Sequence, residues 1–308
     1  MNEKNIHGRV FKKLREERGY KSKDVAGDII STRTLTRFEA DETSLPIATF
    51  EKLLENCGVL LLDYLTYYYD ITEIEYTEFL RKMQKHLQSG FVTKVINEFK
   101  KELKKKDIDF EKRVNILFVM ISIGVDENSE LFIENKRIIM EKIQKVNRLG
   151  LNEVVAFRIL INLASREDFT VEYIDRNIEV CLRNISTKNY LSNYISAIYC
   201  ELLFALLGFL SRNGYYSLAE ERCKEVLSFF EKHPLLFSID KYYFSVIGIL
   251  AMIYLRQNKK EGVEFANKVL KYNNMVVEIT DDPYAKMRAD SYYEDLYKVN
   301  KTGIDFEF

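Results

Sequence analysis

The chain is 308 residues long with a formal net charge of −1; 47% of it is hydrophobic and 30% charged, and only 12 Gly and 3 Pro punctuate it. That length allows two domains with sizeable cores, and so little turn chemistry favours long helices joined by short loops. No run of about eighteen apolar residues is evident, Leu202 to Leu210 being too short to span a membrane, and the charged N-terminus excludes a signal peptide. The four Cys (57, 181, 200 and 223) lie in helical patterns at no metal-binding spacing, as expected of reduced thiols in a cytoplasmic protein.

Charge is unevenly placed along the chain. From Lys4 to Arg37 ten Lys and Arg stand against four acids, whereas from Phe38 to Leu80 the single base Lys52 stands among ten acids. A phosphate partner responds to the face presented to it, so the net charge does not exclude DNA. A first helix is predicted over about 6–18, with Val10, Phe11 and Leu14 at helical spacing and Gly19 as its stop. Ser22 is expected to N-cap a short second helix carrying Val25 and Ala26. Ser31 is a good N-cap for a third, from Thr32 to about Ala40. On that third helix Leu35 and Phe38 face a small core, while Thr32, Arg33 and Arg37 fall together on another face. A helix lying in the major groove needs short and long donors arranged in this way, so the candidate DNA contacts are Ser22, Thr32, Arg33, Thr34 and Arg37. Pro46 is placed in the first turn of a fourth helix bearing Phe50, Leu53 and Leu54; Gly58 ends it, and 61–68 makes a fifth. Tyr67 to Tyr69 form an aromatic joint between this domain, 1–68, and the rest.

The spacing of Arg15, Gly19, Ser22, Val25-Ala26, Ser31, Leu35, Glu39, Pro46 and Leu53 resembles the Cro/phage-repressor type of helix-turn-helix. In such domains an arginine on the first helix commonly pairs with the glutamate that ends the recognition helix. The resemblance therefore implies a structural ion pair between Arg15 and Glu39, with promoter double-stranded DNA as the partner. Asp41 stands where those domains usually have a glycine; Asp accepts a left-handed backbone better than most residues, at some strain.

Residues 69–308 repeat themselves. Asn213 to Leu227 aligns with Arg256 to Leu270 at an offset of 43, which places Ala219 on Gly262, Cys223 on Ala266, Val226 on Val269 and Leu227 on Leu270. Small residues four apart on a helix allow a neighbouring helix to approach closely. Helical pairs are predicted at 73–88 with 91–106, 109–124 with 129–148, 151–166 with 170–186, 189–212 with 215–232, and 238–256 with 260–273, and a last helix near 284–298 caps them. Repeats of about forty residues, each two antiparallel helices, make an α-solenoid of the tetratricopeptide kind. The fold class is all-α: a five-helix helix-turn-helix domain followed by that solenoid. Polar residues within apolar helices are the candidates for a ligand on its concave face: Arg158 and Asn162, one turn apart, with Asn193 and Tyr199 on the next such helix. Asn can clamp a peptide amide and Arg can take a carboxylate. Tyr292, Tyr293, Leu296 and Tyr297 on the last helix are the candidate dimer surface.

Catalytic chemistry has no anchor in the chain. His7, His86 and His233 are far apart and pair with no Cys or carboxylate at metal spacing. No glycine-rich phosphate loop and no nucleophile elbow is present. No metal, cofactor or catalytic residue is therefore assigned; only a pair assembled by the fold, such as Asp168 with Tyr199, could serve an enzyme. Lys100 to Lys106 is expected to be the exposed face of a solenoid helix.

Lys13-Leu-Arg15, Ser31 through Leu35-Thr-Arg-Phe-Glu39 and Phe50-Glu-Lys-Leu-Leu54, joined to a helical-repeat domain, resemble the Rgg/GadR/MutR regulators of Gram-positive bacteria. That resemblance implies a cytoplasmic homodimer that binds promoter DNA and responds to a short imported peptide pheromone, as in quorum sensing. The residues leave open a second possibility, an interaction scaffold whose repeats bind a protein partner and whose helix-turn-helix tethers it to DNA without a peptide ligand.

Overall fold

The computed structural model describes residues 6–72, 74–105, 107–126, 129–146, 149–185, 190–233, 239–280 and 283–306. Every regular element among them is an α-helix, and the chain divides into two compact units, Met1–Asn97 and Glu98–Phe308. The first unit thus takes in more than the five helices that the sequence assigns to 1–68.

That unit begins with α1 (His7–Glu17), α2 (Ser22–Ala26), α3 (Thr32–Glu39), α4 (Ile47–Asn56) and α5 (Leu61–Thr72), continuing into α6 (Ile74–Gln88) and the first half of α7 (Val92–Leu103), the boundary between the units falling after Asn97. Three local readings need correction. The N-cap of α2 is Lys21, which makes no side-chain cap bond, and Ser22 is its first helical residue. Pro46 is the N-cap of α4 rather than part of its first turn. The fifth helix runs to Thr72 because no Gly or Pro follows Gly58 in this stretch to stop it at 68.

Its core is aromatic. Phe11, Phe38, Phe50 and Tyr64 are buried together, with ring centroids 4.8 Å apart for Phe50 and Tyr64 and 5.6 Å for Phe11 and Phe50, both edge-on. Tyr67 donates to Glu17, and Tyr68 stacks on His7 with centroids 4.3 Å apart. Both tyrosines therefore pack against α1 and do not form a free joint; the side chain of Tyr69 lies outside the described residues. All four Cys are free and buried, and burial pushes the Cys57 thiol up to about 11, so it is a core group rather than a nucleophile.

Asp41 follows α3 with φ of 57°, in the left-handed region. Its Oδ1 accepts from the backbone N–H of Gly8 at 2.9 Å and of Arg9 at 3.2 Å, and its Oδ2 meets Arg9 Nε at 2.5 Å. Those amides belong to the first turn of α1, whose own N-cap residue, Ile6, offers no side-chain acceptor. Asp41 is the cap of α1, supplied from another element. Gly8 makes this possible, because a Cβ there would lie 1.6 Å from the Phe38 carbonyl oxygen.

The second unit holds α8 (Phe110–Ser122), α9 (Glu130–Lys145), α10 (Leu151–Leu163), α11 (Val171–Asn184), α12 (Tyr190–Arg212), α13 (Tyr216–Lys232), α14 (Ile239–Arg256), α15 (Glu261–Thr280) and α16 (Pro283–Val299). Successive helices pack from α8 to α10 and from α11 to α16, while α11 packs on α12 rather than on its predicted partner α10. Alternate ones, α8, α10, α12, α14 and α16, also touch in sequence, which is the stacking of a helical-repeat domain. The small residues sit at the close contacts: Ala219, Cys223 and Ala266 are fully buried, and a Cβ on Gly262 would lie 2.8 Å from the Leu255 backbone nitrogen. The helix predicted to end at 273 continues to Thr280, since no Gly or Pro stands between Gly262 and Pro283 to stop it earlier.

Helix α12 also overturns one exclusion. Over Ile195–Arg212 it is long and apolar enough, at a mean hydropathy of 1.6, to cross a membrane by length and composition. Scattered Ser196, Tyr199 and Glu201 hide this in a search for an unbroken apolar run. In the fold it is a core helix: Leu202, Leu203, Leu206, Leu207, Phe209 and Leu210 are fully buried against α10, α11, α13 and α14. The last helix differs from expectation too. Leu296 and Tyr292 pack into the unit's own core beside Ala251, Leu255 and Ala266, leaving Tyr297 exposed, so only part of the candidate dimer surface faces outward.

Asp41→Ala should destabilise the chain by about 1–2 kcal/mol, the worth of a helix cap, and Asp41→Asn by less, because Asn keeps an acceptor and tolerates the left-handed backbone. Thermal unfolding of the two variants checks this; an alanine variant as stable as wild type would remove the capping role.

Candidate nucleic-acid interface

The orientation of α3 is set from its buried side. Leu35, Phe38 and Glu39 are all buried. Glu39 receives a two-pronged bond from Arg15 of α1, Nε to Oε1 at 2.6 Å and Nη2 to Oε2 at 2.9 Å. The third arm of Arg15, Nη1, donates to the Tyr20 carbonyl at 2.7 Å and so ties down the turn after Gly19. Hydrogen bonding to Glu39, against the opposing cost of burial, raises the Arg15 guanidinium above its ordinary range, so it stays charged.

The first turn of α3 is closed by Ser31, whose Oγ accepts from the Thr34 N–H at 3.1 Å. Its hydroxyl also lies 2.8 Å from Thr34 Oγ1, so Thr34 is half-buried and engaged in the cap. Thr32, Arg33 and Arg37 are exposed on one side of the helix. Thr36 is exposed beside them, one turn after Thr32, and its hydroxyl donates to the Thr32 carbonyl at 2.9 Å. The helical period alone would have added it to the face. Arg37 reaches Glu42 at 3.5 Å, but with side chains 57% and 61% exposed this ion pair is weak and leaves the guanidinium available to a phosphate. Ser22 is half-buried at the start of α2. Asn56 of α4 donates to the Val25 carbonyl at 2.9 Å and Arg18 to the Gly58 carbonyl at 3.0 Å, which fastens α2 to α4 and the end of α1 to the α4–α5 turn.

Residues 11–64 match the helix-turn-helix family known as HTH_3. They are a helix-turn-helix domain. Whole-chain likeness extends to solved structures: the SHP pheromone receptor Rgg2 of Streptococcus dysgalactiae, at 14% identity over 95% of this chain and 99% of that one, has a TM-score of 0.67. The PrgX/cCF10 complex is 12% identical over 98% and 97% of the two chains, with a TM-score of 0.66. A bacterial peptide pheromone/receptor complex, described with its mechanism of gene regulation, is 14% identical over 96% and 98%, with a TM-score of 0.61. At these identities the likeness is one of fold, and it covers both the helix-turn-helix domain and the repeats. Among curated proteins none matches the sequence.

The candidate ligand residues of the repeat unit are only partly gathered. Arg158 on α10 is half-buried and its Nη1 lies 3.3 Å from Glu201 Oε2 on α12; Lys241 on α14 meets the other oxygen of Glu201 at 3.0 Å. Asn162 is exposed and its amide donates back to the Arg158 carbonyl at 3.1 Å. Tyr199 is buried, with its hydroxyl 3.5 Å from the Leu149 carbonyl, so it faces the packing between α12 and the start of α10. The Asn193 side chain lies outside the described residues. Asp168 pairs with Lys136 at 2.9 Å and accepts from the Ser165 N–H at 2.7 Å, so it is not assembled with Tyr199 into a reactive pair.

Because the Arg15 and Glu39 side chains are 7% and 6% exposed, removing one strands the other charge. Glu39→Ala should cost about 3–5 kcal/mol of stability, whereas Glu42→Ala should leave the unfolding midpoint within error of wild type. Chemical denaturation of both variants is the check, and coincident curves would mean that the buried pair contributes nothing.

Proposed function

We propose that this helix-turn-helix regulator works in the cytoplasm as a homodimer that binds promoter DNA and is controlled by a short peptide held in the repeats. Residues 1–68 serve as the DNA-binding part and 69–308 as the ligand-binding and dimerisation part. The observation that carries the reading is the exposed face of Thr32, Arg33 and Arg37 on a helix capped by Ser31 and held from behind by Arg15. One such helix reads only a few base pairs, and two half-sites bound by a two-fold dimer are the usual remedy. Peptide control is supported by the fold shared with a pheromone receptor and with a PrgX/cCF10 complex. Arg158 and Asn162 are the proposed peptide contacts, and Asn193 of α12 is a further candidate.

Arg33→Ala should cost about 1–3 kcal/mol on the specific promoter and relax base preference, as loss of a guanine-edge contact does. Arg37→Ala should weaken all sequences alike, as loss of a phosphate contact does. Gel-shift titrations on specific and scrambled duplexes separate the two, and unchanged affinity in both variants would overturn the assignment of the face.

An effector acts on DNA binding only through differential affinity for two states of the protein. Asn162→Ala should therefore abolish the response to the inducing peptide while leaving DNA affinity intact. Calorimetry with peptides from the producing cells measures it; wild-type peptide binding by an Arg158→Ala, Asn162→Ala double variant would move the site elsewhere on the repeats.

A further inference from the structure

The repeat unit contains a cleft of about 390 Å³ between α14, α15 and α16. Its wall is aromatic: Phe244 of α14 stacks on Tyr272 of α15 with ring centroids 4.2 Å apart and planes 13° from parallel. Ser245, Gly248, Ala285 and Ala289 keep it open by having little or no side chain. Such a mixture of apolar wall and few polar groups is the usual make-up of a ligand site.

Tyr292 of α16 lines this cleft, and its hydroxyl oxygen is fully buried with no hydrogen-bond partner among the described residues. A buried hydroxyl without a partner is a net cost, which a phenylalanine would avoid. The fold accepts a second cost for the same group. Gly248 occupies the middle of α14, where glycine is a poor helix former, and a Cβ there would lie 2.7 Å from the Tyr292 hydroxyl. Two unfavourable choices thus preserve one donor that no described residue uses. The Asn273 side chain, also lining the cleft, bonds to no described residue.

At the other end stands Lys241, 62% exposed, with its ammonium 3.0 Å from Glu201 and 5.3 Å from the centre of the Tyr242 ring. Seven residues of α14 separate it from Gly248, a rise of about 10 Å. An extended chain advances about 3.3–3.6 Å per residue, so roughly three residues span the two ends. An exposed ammonium that an incoming carboxylate can share with Glu201, an amide and a phenol at that spacing are complementary to a carboxylate, a peptide bond and a carbonyl oxygen.

We propose that this cleft seats the apolar carboxy-terminal end of an extended peptide. The terminal carboxylate lies at Lys241, a backbone amide pairs with Asn273, a carbonyl accepts from Tyr292, and an apolar side chain packs on Phe244 and Tyr272. This rests on the peptide-controlled reading above and places the peptide's end, which Arg158 and Asn162 do not.

The test uses the full-length protein and two random octapeptide libraries, one with free carboxylates and one amidated, with retained peptides identified by mass spectrometry. Free-acid peptides with apolar residues in their last three positions should be enriched. For individual peptides so selected, Lys241→Met and Tyr292→Phe should each weaken binding by about tenfold, the worth of one good hydrogen bond, and amidation of the peptide by at least as much. Tyr292→Phe should not lower the melting temperature, which separates lost binding from lost folding. Equal retention of both libraries, or wild-type affinity in both variants, would overturn the cleft assignment while leaving the peptide reading in place if binding is still lost in the Arg158→Ala, Asn162→Ala variant. Retention of no peptide from either library would overturn both.

Discussion

The geometry of the first unit depends on one buried contact, the two-pronged bond between Arg15 and Glu39. Burying two charges in so small a core brings little net stability, because desolvation offsets most of the attraction. What the contact supplies is direction. A planar guanidinium meeting both carboxylate oxygens accepts only a narrow range of angles between α1 and α3. With Leu35 and Phe38 buried on the same side, the remaining side of α3 is obliged to face outward. The exposure of Thr32, Arg33 and Arg37 is thus a consequence of what is fixed behind them.

Asp41 extends the same logic to the other end of α1. Arg15 lies near the C-terminal end of that helix and Gly8 and Arg9 at its start, so α1 is fastened to the end of α3 and to the turn after it. A glycine at 41 would adopt the left-handed backbone freely but could not accept from those two amides. Asp41 accepts the strain and supplies the cap, and the closeness this needs is available only because residue 8 has no Cβ. The departure from the usual pattern of such domains is therefore compensated by a neighbouring residue.

Most of this architecture could be foreseen from periodicity, and the parts that could not are those made by non-local contacts. Val10, Phe11 and Leu14, or Ile174, Ile178 and Cys181, declare a buried helical face by spacing alone, and all are buried. Spacing identifies residues that share a face but not the helix that covers it. Tyr199 looked like a polar residue offered to a ligand; its ring is covered by the packing around α10 and α12 and its hydroxyl points to Leu149. Leu296 and Tyr292 share a spacing that suits an outer surface, yet Leu296 is buried against α14 and α15 and Tyr292 is half-buried beside it. Arg158 is half-buried on α10, and its partner Glu201 lies 43 residues away, where no local pattern marks it.

That partner matters for how ligand binding could reach beyond its own site. Glu201 on α12 divides its two oxygens between Arg158 on α10 and Lys241 on α14, so one carboxylate links three helices of the stack. A carboxylate arriving at either cation has to compete with Glu201, and all three side chains are exposed enough for that exchange to cost little. Such an exchange would loosen a tie between repeats at the moment a new one forms through the ligand. Packed helices shift between discrete arrangements rather than deform continuously. A change of partners at Glu201 is therefore the kind of local event that a stack of repeats can convert into altered spacing along its length.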